Sequence, residues 1–204
     1  PELHAAHPNL RLYIRELRTV DLETRLREGV FDVLLSTRPD DITGLVVEPL
    51  FQERLLLGLA SDNPLANKKS IAMSDLANEK VLTLESGHYL SARVRGLAQA
   101  AHAQLLVDYE GTSLDGLRQM VGLGMGVSLS PALYVHAEMI ADDAIAVRDI
   151  KIDDAARGIA LIWRKNSPRK EHFLRLAKLL RARGKALLSD LSAKSMGRRQ
   201  TARK

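Results

Sequence analysis

Cysteine is absent from the 204 residues, and aromatic residues make up only 4% of them. The lack of cysteine excludes disulfides, thiolate chemistry and zinc sites with cysteine ligands. No apolar run approaches the roughly 18 residues that a membrane span needs, and no signal peptide opens the chain. The histidines other than His88 show no metal-ligand spacing among themselves. These absences favour a cytoplasmic protein that holds no metal and no other cofactor.

The positive charge of the chain is concentrated at its end. The net charge is +5, and residues 189–204 carry five lysines or arginines against one aspartate. This segment therefore accounts for +4, and the rest of the chain is almost neutral. A short basic segment of this kind is typical of a disordered, solvated tail, and a contact with DNA or with a partner is the alternative.

What the sequence does contain is an alternation of strand and helix patterns. Apolar residues alternate over residues 10–14, and compact apolar runs at residues 31–35, 55–59 and 159–163 predict buried strands. Helical patterns lie between the strands, and a long amphipathic helix is expected over residues 168–188. The alternation predicts an α/β fold with largely parallel sheets.

Two of the strand patterns, at residues 55–60 and 158–163, connect the central part of the chain to its two ends. A chain that leaves one lobe and later returns to it makes two crossovers. Such a design places a cleft between the lobes, where ligands bind. We therefore expect two lobes with a central cleft.

The stretch EGTSLDGLRQMVGLGMGVSLSPALYV, residues 110–135, has the clearest local pattern. Thr112 is predicted to be a helix N-cap, with Asp115 three positions later in a near capping box. Three glycines then end the helix, and a buried strand follows. The free N–H groups of this helix start, with the hydroxyls of Thr112 and Ser113, favour an anion. A well-capped core helix without a ligand is the alternative.

Five segments in this order resemble the effector-binding domain of LysR-type transcriptional regulators: HPNLRLYIREL, LREGVFDVLL, EPLFQERLLLGLASDNPLA, LTLESGHYL and TSLDGLRQMVGLGMGVSLSPAL. The OxyR-type peroxide sensors are the most similar branch. The resemblance extends over residues 1–186 and implies an α/β fold of two Rossmann-like lobes, of the type 2 periplasmic-binding-protein-like class. Lobe I would comprise residues 1–58 plus 159–188, and lobe II residues 59–158.

Members of this family carry an N-terminal winged helix-turn-helix and a linker helix, and neither pattern occurs in this sequence. The first strand of the family's domain is also not found ahead of Pro1. The resemblance therefore implies that DNA is bound only through a helix-turn-helix absent here. It further implies a small-molecule effector, a homodimer or homotetramer, and no membrane association.

The sequence departs from the peroxide sensors at their reactive cysteine. The sensors read Gly-His-Cys-Leu-Arg-Asp, whereas residues 87–92 here read GHYLSA. Tyr89 occupies the position of the reactive cysteine, and Ala98 that of its resolving partner. Because a phenol forms no disulfide, a dithiol peroxide switch is not expected.

The resemblance places six candidate ligand-binding residues at the cleft: Thr19, His88, Tyr89, Thr112, Ser113 and Ser128. Their hydroxyls and imidazole, together with two helix N-termini, suit a small anion such as a carboxylate. As alternatives, Thr19 and Thr112 only cap helices, and the Tyr89 ring fills the pocket.

Three other functions stay open at this point. A solute-binding protein of a transport system shares the bilobal fold. An enzyme would use Ser113 or Ser128 with His88, but no Gly-x-Ser-x-Gly elbow, paired-carboxylate motif or metal set supports catalysis. A constitutive oligomeriser, whose cleft binds nothing, is the third alternative.

Overall fold

The structure is a computed structural model, which describes residues 5, 8–152 and 156–201, with side chains as far as residue 190. The strands are β1 (Val33–Thr37), β2 (Leu45–Ala60), β3 (Ser70–Ala72), β4 (Lys80–Leu82), β5 (Gln104–Leu105), β6 (Val127–Pro131), β7 (Ile145–Lys151) and β8 (Ala156–Arg164). The α-helices are α1 (Thr19–Arg27), α2 (Tyr89–Ala100), α3 (Leu114–Gly122), α4 (Ala132–Tyr134) and α5 (Lys170–Thr201).

Strand β2 changes its neighbours partway along its length. Residues 45–54 pair antiparallel with β8, which also pairs antiparallel with β1. Residues 55–60 pair antiparallel with β6 and β7. Strand β4 pairs parallel with β5 and β6, and β3 pairs parallel with β7. The prediction of largely parallel sheets is therefore wrong, because the long strands β2 and β8 run antiparallel to their neighbours.

The apolar residues form one large cluster and two small ones. The large cluster surrounds residues 55–59 of β2 and includes residues of α2, α3 and β6. One small cluster lies beneath α5, where the rings of Trp163 and Phe173 are 5.6 Å apart. The other lies beneath α1 and contains Leu26 and Ile162. The first part of β2 is thus covered by α5 on one face and by α1 on the other.

The predicted lobe boundaries, residues 1–58 plus 159–188 and residues 59–158, stay a proposal. The change of partners along β2 falls between Arg54 and Leu55, close to the first of these boundaries. We use lobe I for the part of the sheet that contains β1 and β8, and lobe II for the part that contains β4, β5 and β6.

Residues 10–14 do not form the half-buried strand that their alternation predicts. They are extended, but they belong to no strand of the described sheet. The side chains of Leu12, Tyr13 and Ile14 are 49%, 88% and 81% exposed. A strand is stabilised by pairing with a neighbour and by burial of one face, and this segment has neither among the described residues.

Helix α5 contacts both parts of the sheet. Phe173 packs in the small cluster of lobe I, and Leu188, fifteen positions later, packs against the large cluster. Between them, the backbone of Gly184 lies against the ring of Phe51. The guanidinium of Arg181 donates to the carbonyl of Pro49 over 3.0 Å. One helix therefore holds the two lobes along a shared side.

Helix α5 also continues beyond residue 188, its predicted end. It runs to Thr201 and so passes through most of the segment that we predicted to be a disordered tail. Residues 189–201 contain no proline and a single glycine, Gly197, so no strong helix breaker interrupts them. The remaining three residues of the predicted tail lie outside the described residues.

Candidate functional site

The N-termini of helices α1 and α2 lie against each other. The hydroxyl of Thr19 accepts a hydrogen bond from the backbone N–H of Tyr89, with 3.3 Å between the heavy atoms. The N–H of Val20 donates to the carbonyl of Gly87 over 3.4 Å. Helix α1 packs on the cluster around Leu26, whereas α2 packs on the large cluster. The two hydrogen bonds therefore connect lobe I with lobe II.

Gly87 allows this close approach. Its φ is +96°, a left-handed conformation that residues with a side chain rarely adopt. A Cβ atom added there would lie 3.2 Å from the Val20 side chain and 3.3 Å from that of Arg18. Both the turn after β4 and the contact with α1 thus depend on a glycine at this position.

The start of α1 differs from the prediction. Arg18 is the N-cap and provides no side-chain cap, while Thr19 is the first helical residue. Thr19 does not cap its own helix, because its hydroxyl is directed to the N–H of Tyr89. The Nε of Arg18 donates to Asp21 over 2.7 Å, and this hydrogen bond raises the pKa of the Arg18 guanidinium.

The start of α2 presents unsatisfied N–H groups. His88 is the N-cap, and its side chain makes no capping hydrogen bond. The N–H of Tyr89 is used by Thr19, but those of Leu90 and Ser91 have no acceptor among the described residues. The positive end of the helix dipole adds to these free donors. His88 is half-buried and the Tyr89 side chain is 44% exposed, so both flank this helix end near solvent.

The N-cap of α3 is Ser113, not Thr112. The Ser113 hydroxyl accepts a hydrogen bond from the N–H of Gly116 over 3.1 Å. Asp115 does not complete a capping box, because it is the second residue after the cap and not the third; it pairs with Arg118 at 3.2 Å. The prediction was displaced by one residue, since threonine and serine are both good caps and stand side by side.

The segment ahead of α3 runs beside the turn that leads to α2. Gly111 forms a parallel bridge with Leu84, and its carbonyl accepts from the N–H of Glu85 over 3.0 Å. Thr112 and Ser113 follow this bridge directly and are exposed. No described hydrogen bond joins them to Thr19, His88 or Tyr89. They therefore lie near the turn that leads to α2, with no hydrogen bond to those three residues in the part of the chain that the structure describes.

Ser128 is placed differently from the other candidates. It is 1% exposed, lies within β6, and pairs with Gly58 of β2 and Leu82 of β4. Its hydroxyl is 3.5 Å from that of Ser130. Among the six candidates, Thr19 and Tyr89 are in contact with each other, and His88 precedes Tyr89 in the chain. Ser128 is buried in the sheet.

Sequence reasoning missed Glu53, whose carboxylate is buried where β2 changes its neighbours. Glu53 is 2% exposed. Its Oε2 accepts from Nε and Nη2 of Arg157 over 3.0 and 2.9 Å, and its Oε1 accepts from the N–H of Leu133 over 2.8 Å. These bonds join β2, β8 and the start of α4. The available signal was an acidic residue beside the apolar run of a strand pattern.

Other kinds of site find no support in the described part of the chain. No group of three or more histidine, aspartate or glutamate side chains in it has a metal-binding arrangement. Likewise, none of its helices combines the length and the apolar character needed to cross a membrane.

A family model described as the LysR substrate binding domain matches residues 1–185. The DNA-binding transcriptional dual regulator OxyR of Escherichia coli K12 is 36% identical over 183 residues, which cover 90% of this chain and 60% of that protein. The chain thus spans about 60% of the length of the curated relatives that it matches.

Solved structures show the same likeness. The crystal structure of oxidised OxyR has a TM-score of 0.78 and 35% sequence identity, covering 90% of this chain and 86% of that one. A mutant regulatory domain of OxyR2 from Vibrio vulnificus, with bound sulfate, has a TM-score of 0.77 and 29% identity, covering 89% and 85%. The predicted α/β fold class, with two Rossmann-like lobes and a central cleft of the type 2 periplasmic-binding-protein-like kind, is confirmed.

Proposed function

This chain belongs to the LysR substrate-binding domain family, and on that premise we propose that it responds to a small anion held between its two lobes. It is an effector-binding domain of the kind found in OxyR-like transcription regulators. We further propose that the complete regulator acts in the cytoplasm as a homodimer or homotetramer. Its DNA would be bound by a helix-turn-helix outside this chain.

One observation carries the proposal, the contact between the starts of α1 and α2. The Thr19 hydroxyl and the Tyr89 N–H belong to different lobes and are hydrogen-bonded at 3.3 Å. A ligand that binds here touches both lobes, so its affinity depends on their relative arrangement. Such a ligand shifts the arrangement by as much as its affinities for the two arrangements differ. This is the physical requirement for a sensor.

The charge of the ligand is inferred from the donors at this point. The N–H groups of Leu90 and Ser91 are free among the described residues, and the helix dipole favours negative charge beside them. The imidazole of His88 and the hydroxyl of Thr19 add polar contacts. Sulfate bound in the similar Vibrio vulnificus domain supports the same class of ligand.

The other three candidates have supporting roles in this proposal. The exposed hydroxyls of Thr112 and Ser113 follow the bridge between Gly111 and Leu84, beside the turn that leads to α2. Ser128 lies in the buried strand β6 and contacts a ligand only if that ligand reaches the sheet. We therefore place Thr19, His88 and the start of α2 at the centre of the site.

We also propose that the domain senses its effector without a dithiol switch. Several curated relatives are named hydrogen peroxide-inducible genes activators. In this chain the positions of the reactive and the resolving cysteine correspond, by the resemblance, to Tyr89 and Ala98. Tyr89 is 44% exposed, and Ala98 is buried within α2. Neither side chain forms a disulfide. Binding alone, with no covalent step and no catalysis, is then the signal.

The direct test is a thermal-shift screen of the chain with monocarboxylates, dicarboxylates, sulfate, phosphate and hydrogen peroxide. A ligand at a hundred times its dissociation constant stabilises the folded state by about 2.7 kcal/mol. We expect an anion to raise the melting temperature and its neutral amide analogue to leave it unchanged. A melting temperature raised only by neutral compounds contradicts the proposal. A melting temperature that no compound changes favours the constitutive oligomeriser.

Variants then locate the site. Thr19→Val and His88→Ala should each weaken binding of the anion found in the screen by about tenfold, the cost of one charge-assisted hydrogen bond. His172→Ala is the matched control, because His172 is exposed on α5, away from the α1 and α2 starts. If all three variants bind the anion with the affinity of the wild type, the anion binds away from the starts of α1 and α2.

A further inference from the structure

Helix α5 carries the positive charge of this chain. Between Lys170 and Thr201 it contains nine lysines or arginines and only two acidic residues, Glu171 and Asp190, which gives it a net charge of +7. The whole chain carries +5, so the residues outside α5 together carry −2. A strong separation of charge within one chain indicates that the basic part meets a polyanion.

Arg175, Lys178 and Lys185 lie along one exposed stripe of this helix. Their spacing of three and seven residues places them on one face, because an α-helix repeats about every 3.6 residues. All three residues are exposed, and none makes a hydrogen bond or an ion pair with another described residue. At about 1.5 Å of rise per residue, they span about 15 Å. We call these three residues the α5 stripe.

The fold uses a different cation of α5. The guanidinium of Arg181 pairs with Glu48 and donates to the carbonyl of Pro49, so this charge is directed to the sheet. Phe173 and Ala177 pack against the sheet in the small cluster of lobe I. The α5 stripe makes no comparable contact within the described part of the chain, and its charge therefore faces solvent or a partner.

We propose that the α5 stripe contacts the phosphate backbone of the duplex DNA that the complete regulator binds, without reading its sequence. This inference rests on the proposed function, in which a helix-turn-helix outside this chain selects the DNA. Duplex DNA carries one negative charge per about 1.7 Å of its axis, so a stripe of about 15 Å faces several phosphates. Contacts of lysine and arginine with phosphates add affinity and fix position but carry no sequence information.

Duplex DNA fits the α5 stripe better than other anionic partners do. Single strands are held by stacking on aromatic side chains, and Phe173, the one aromatic residue of α5, is buried. A membrane surface takes up the apolar face of a helix, whereas the apolar face of α5 packs on the sheet. An acidic protein needs apolar anchors, and α5 exposes a single large apolar side chain, Leu179, among its described residues.

The test measures binding of the full 204-residue chain to a fluorescent DNA duplex of arbitrary sequence by anisotropy, at salt concentrations between about 50 and 200 mM. The triple variant Arg175→Glu/Lys178→Glu/Lys185→Glu reverses the charge of the α5 stripe. We expect it to weaken duplex binding by at least about tenfold at the lowest salt concentration. The slope of log K against log salt should become shallower by up to about 3, since each lost phosphate contact accounts for about 0.9.

A matched triple variant controls for total charge. It reverses three exposed cations that lie outside α5 and have no partner among the described residues, Arg38→Glu/Lys69→Glu/Lys151→Glu. Both triple variants lower the net charge by the same amount, so a loss that reflects total charge alone is equal in the two. We expect the control to bind duplex DNA within about threefold of the wild type. Equal losses in the two variants overturn the α5 stripe as the contact, and so does a wild-type chain that does not bind duplex DNA at the lowest salt concentration.

Two competitors test the nature of the partner. An unlabelled single strand of the same length, or vesicles of phosphatidylserine, should displace the labelled duplex less effectively than unlabelled duplex does. Stronger displacement by the single strand or by the vesicles overturns duplex DNA as the partner.

A last pair of measurements separates this inference from protein folding and from effector binding. Circular dichroism melting establishes that both triple variants are folded. The increase in melting temperature caused by the anion should be the same in the α5 stripe variant as in the wild type, because none of its three residues is proposed to hold the anion. Selective loss of duplex binding in a chain that responds to no anion supports the α5 stripe and counts against the effector proposal. An anion response without selective loss of duplex binding overturns the α5 stripe and leaves the effector proposal standing.

Discussion

The Thr19 hydroxyl oxygen lies 3.3 Å from the backbone nitrogen of Tyr89 and accepts its hydrogen bond; the family resemblance aligns Tyr89 with the reactive cysteine of OxyR-type sensors. The bond uses the backbone of Tyr89 and not its side chain. A change of side chain at this position therefore leaves the link between α1 and α2 intact. The contact between the two lobes at this point therefore requires no particular side chain at residue 89.

Removal of the Thr19 hydroxyl should weaken the contact between α1 and α2 measurably. Thr19→Val keeps the shape but leaves the Tyr89 N–H without its acceptor, and we expect a loss of about 0.5–1.5 kcal/mol in unfolding free energy. Thr19→Ser retains the hydroxyl and should cost less. Urea unfolding measures the stability, and amide hydrogen exchange at Tyr89 should accelerate only in Thr19→Val. Unchanged exchange at Tyr89 in that variant contradicts the contact.

Gly87 and Gly44 offer a comparison between a crowded position and an open one. Both have positive φ, +96° and +72°, so alanine strains the backbone at each and costs about 1 kcal/mol. At Gly87 the new Cβ also meets Val20 at 3.2 Å, whereas nothing lies within 4 Å at Gly44. Gly87→Ala should therefore be the more destabilising and should also weaken effector binding. Equal melting temperatures for the two variants argue against close packing of α1 on this turn.

Local patterns in the sequence predicted the fold well where a residue's surroundings are fixed by its neighbours along the chain. The apolar run at residues 55–59 lies in β2, and the periodicity after residue 168 corresponds to α5. The alternation at residues 10–14 misled, because a strand also needs a partner strand, which no local pattern shows. The predicted cap at Thr112 was wrong because the adjacent Ser113 takes that role, and the predicted cap at Thr19 was wrong because its hydroxyl accepts from the N–H of Tyr89.

The site was only partly accessible from sequence. Thr19 and Tyr89, seventy positions apart, came together through the family resemblance and not through any pattern of their own. Glu53 escaped notice because its partners, Arg157 and the N–H of Leu133, are determined by the register of β2 against β8 and by the position of α4. Such long-range pairing depends on the assembled sheet.

Substitution of Glu53 should lower the free energy of unfolding more than substitution of a partly exposed charged residue does. Glu53→Ala leaves the guanidinium of Arg157 and the Leu133 N–H without an acceptor at a buried point, and we expect a loss of about 3 kcal/mol. Glu48→Ala is the control, because Glu48 pairs with Arg181 where both side chains are partly exposed, and should cost less than about 1 kcal/mol. Chemical unfolding of both variants gives the comparison, and similar losses would refute a special role for Glu53.

Two helical glycines should respond to alanine in opposite directions. At Gly96 of α2 a Cβ meets nothing within 4 Å, so alanine should stabilise the protein by about 0.5–1 kcal/mol through its helix propensity. At Gly184 of α5 a Cβ would overlap the ring of Phe51, so alanine should destabilise by about 1–3 kcal/mol. Thermal melts distinguish the signs, and stabilisation by Gly184→Ala would show that α5 does not pack on β2 in solution.

Tyr134 should make the stability fall at alkaline pH. Partial burial and the charge of Asp115, which accepts a hydrogen bond from the phenol over 3.3 Å, raise the pKa of Tyr134 to about 12. In the unfolded chain the phenol ionises with a pKa near ~10, so between that pH and the folded pKa the folded state alone keeps the proton. The free energy of unfolding therefore declines as the pH rises through this range. The decline should stay below the roughly 2.7 kcal/mol of two pKa units, because solvent screens a half-exposed group. Tyr134→Phe should flatten this part of the profile and remove the tyrosinate absorbance that develops near the folded pKa; an unchanged titration would contradict the assignment.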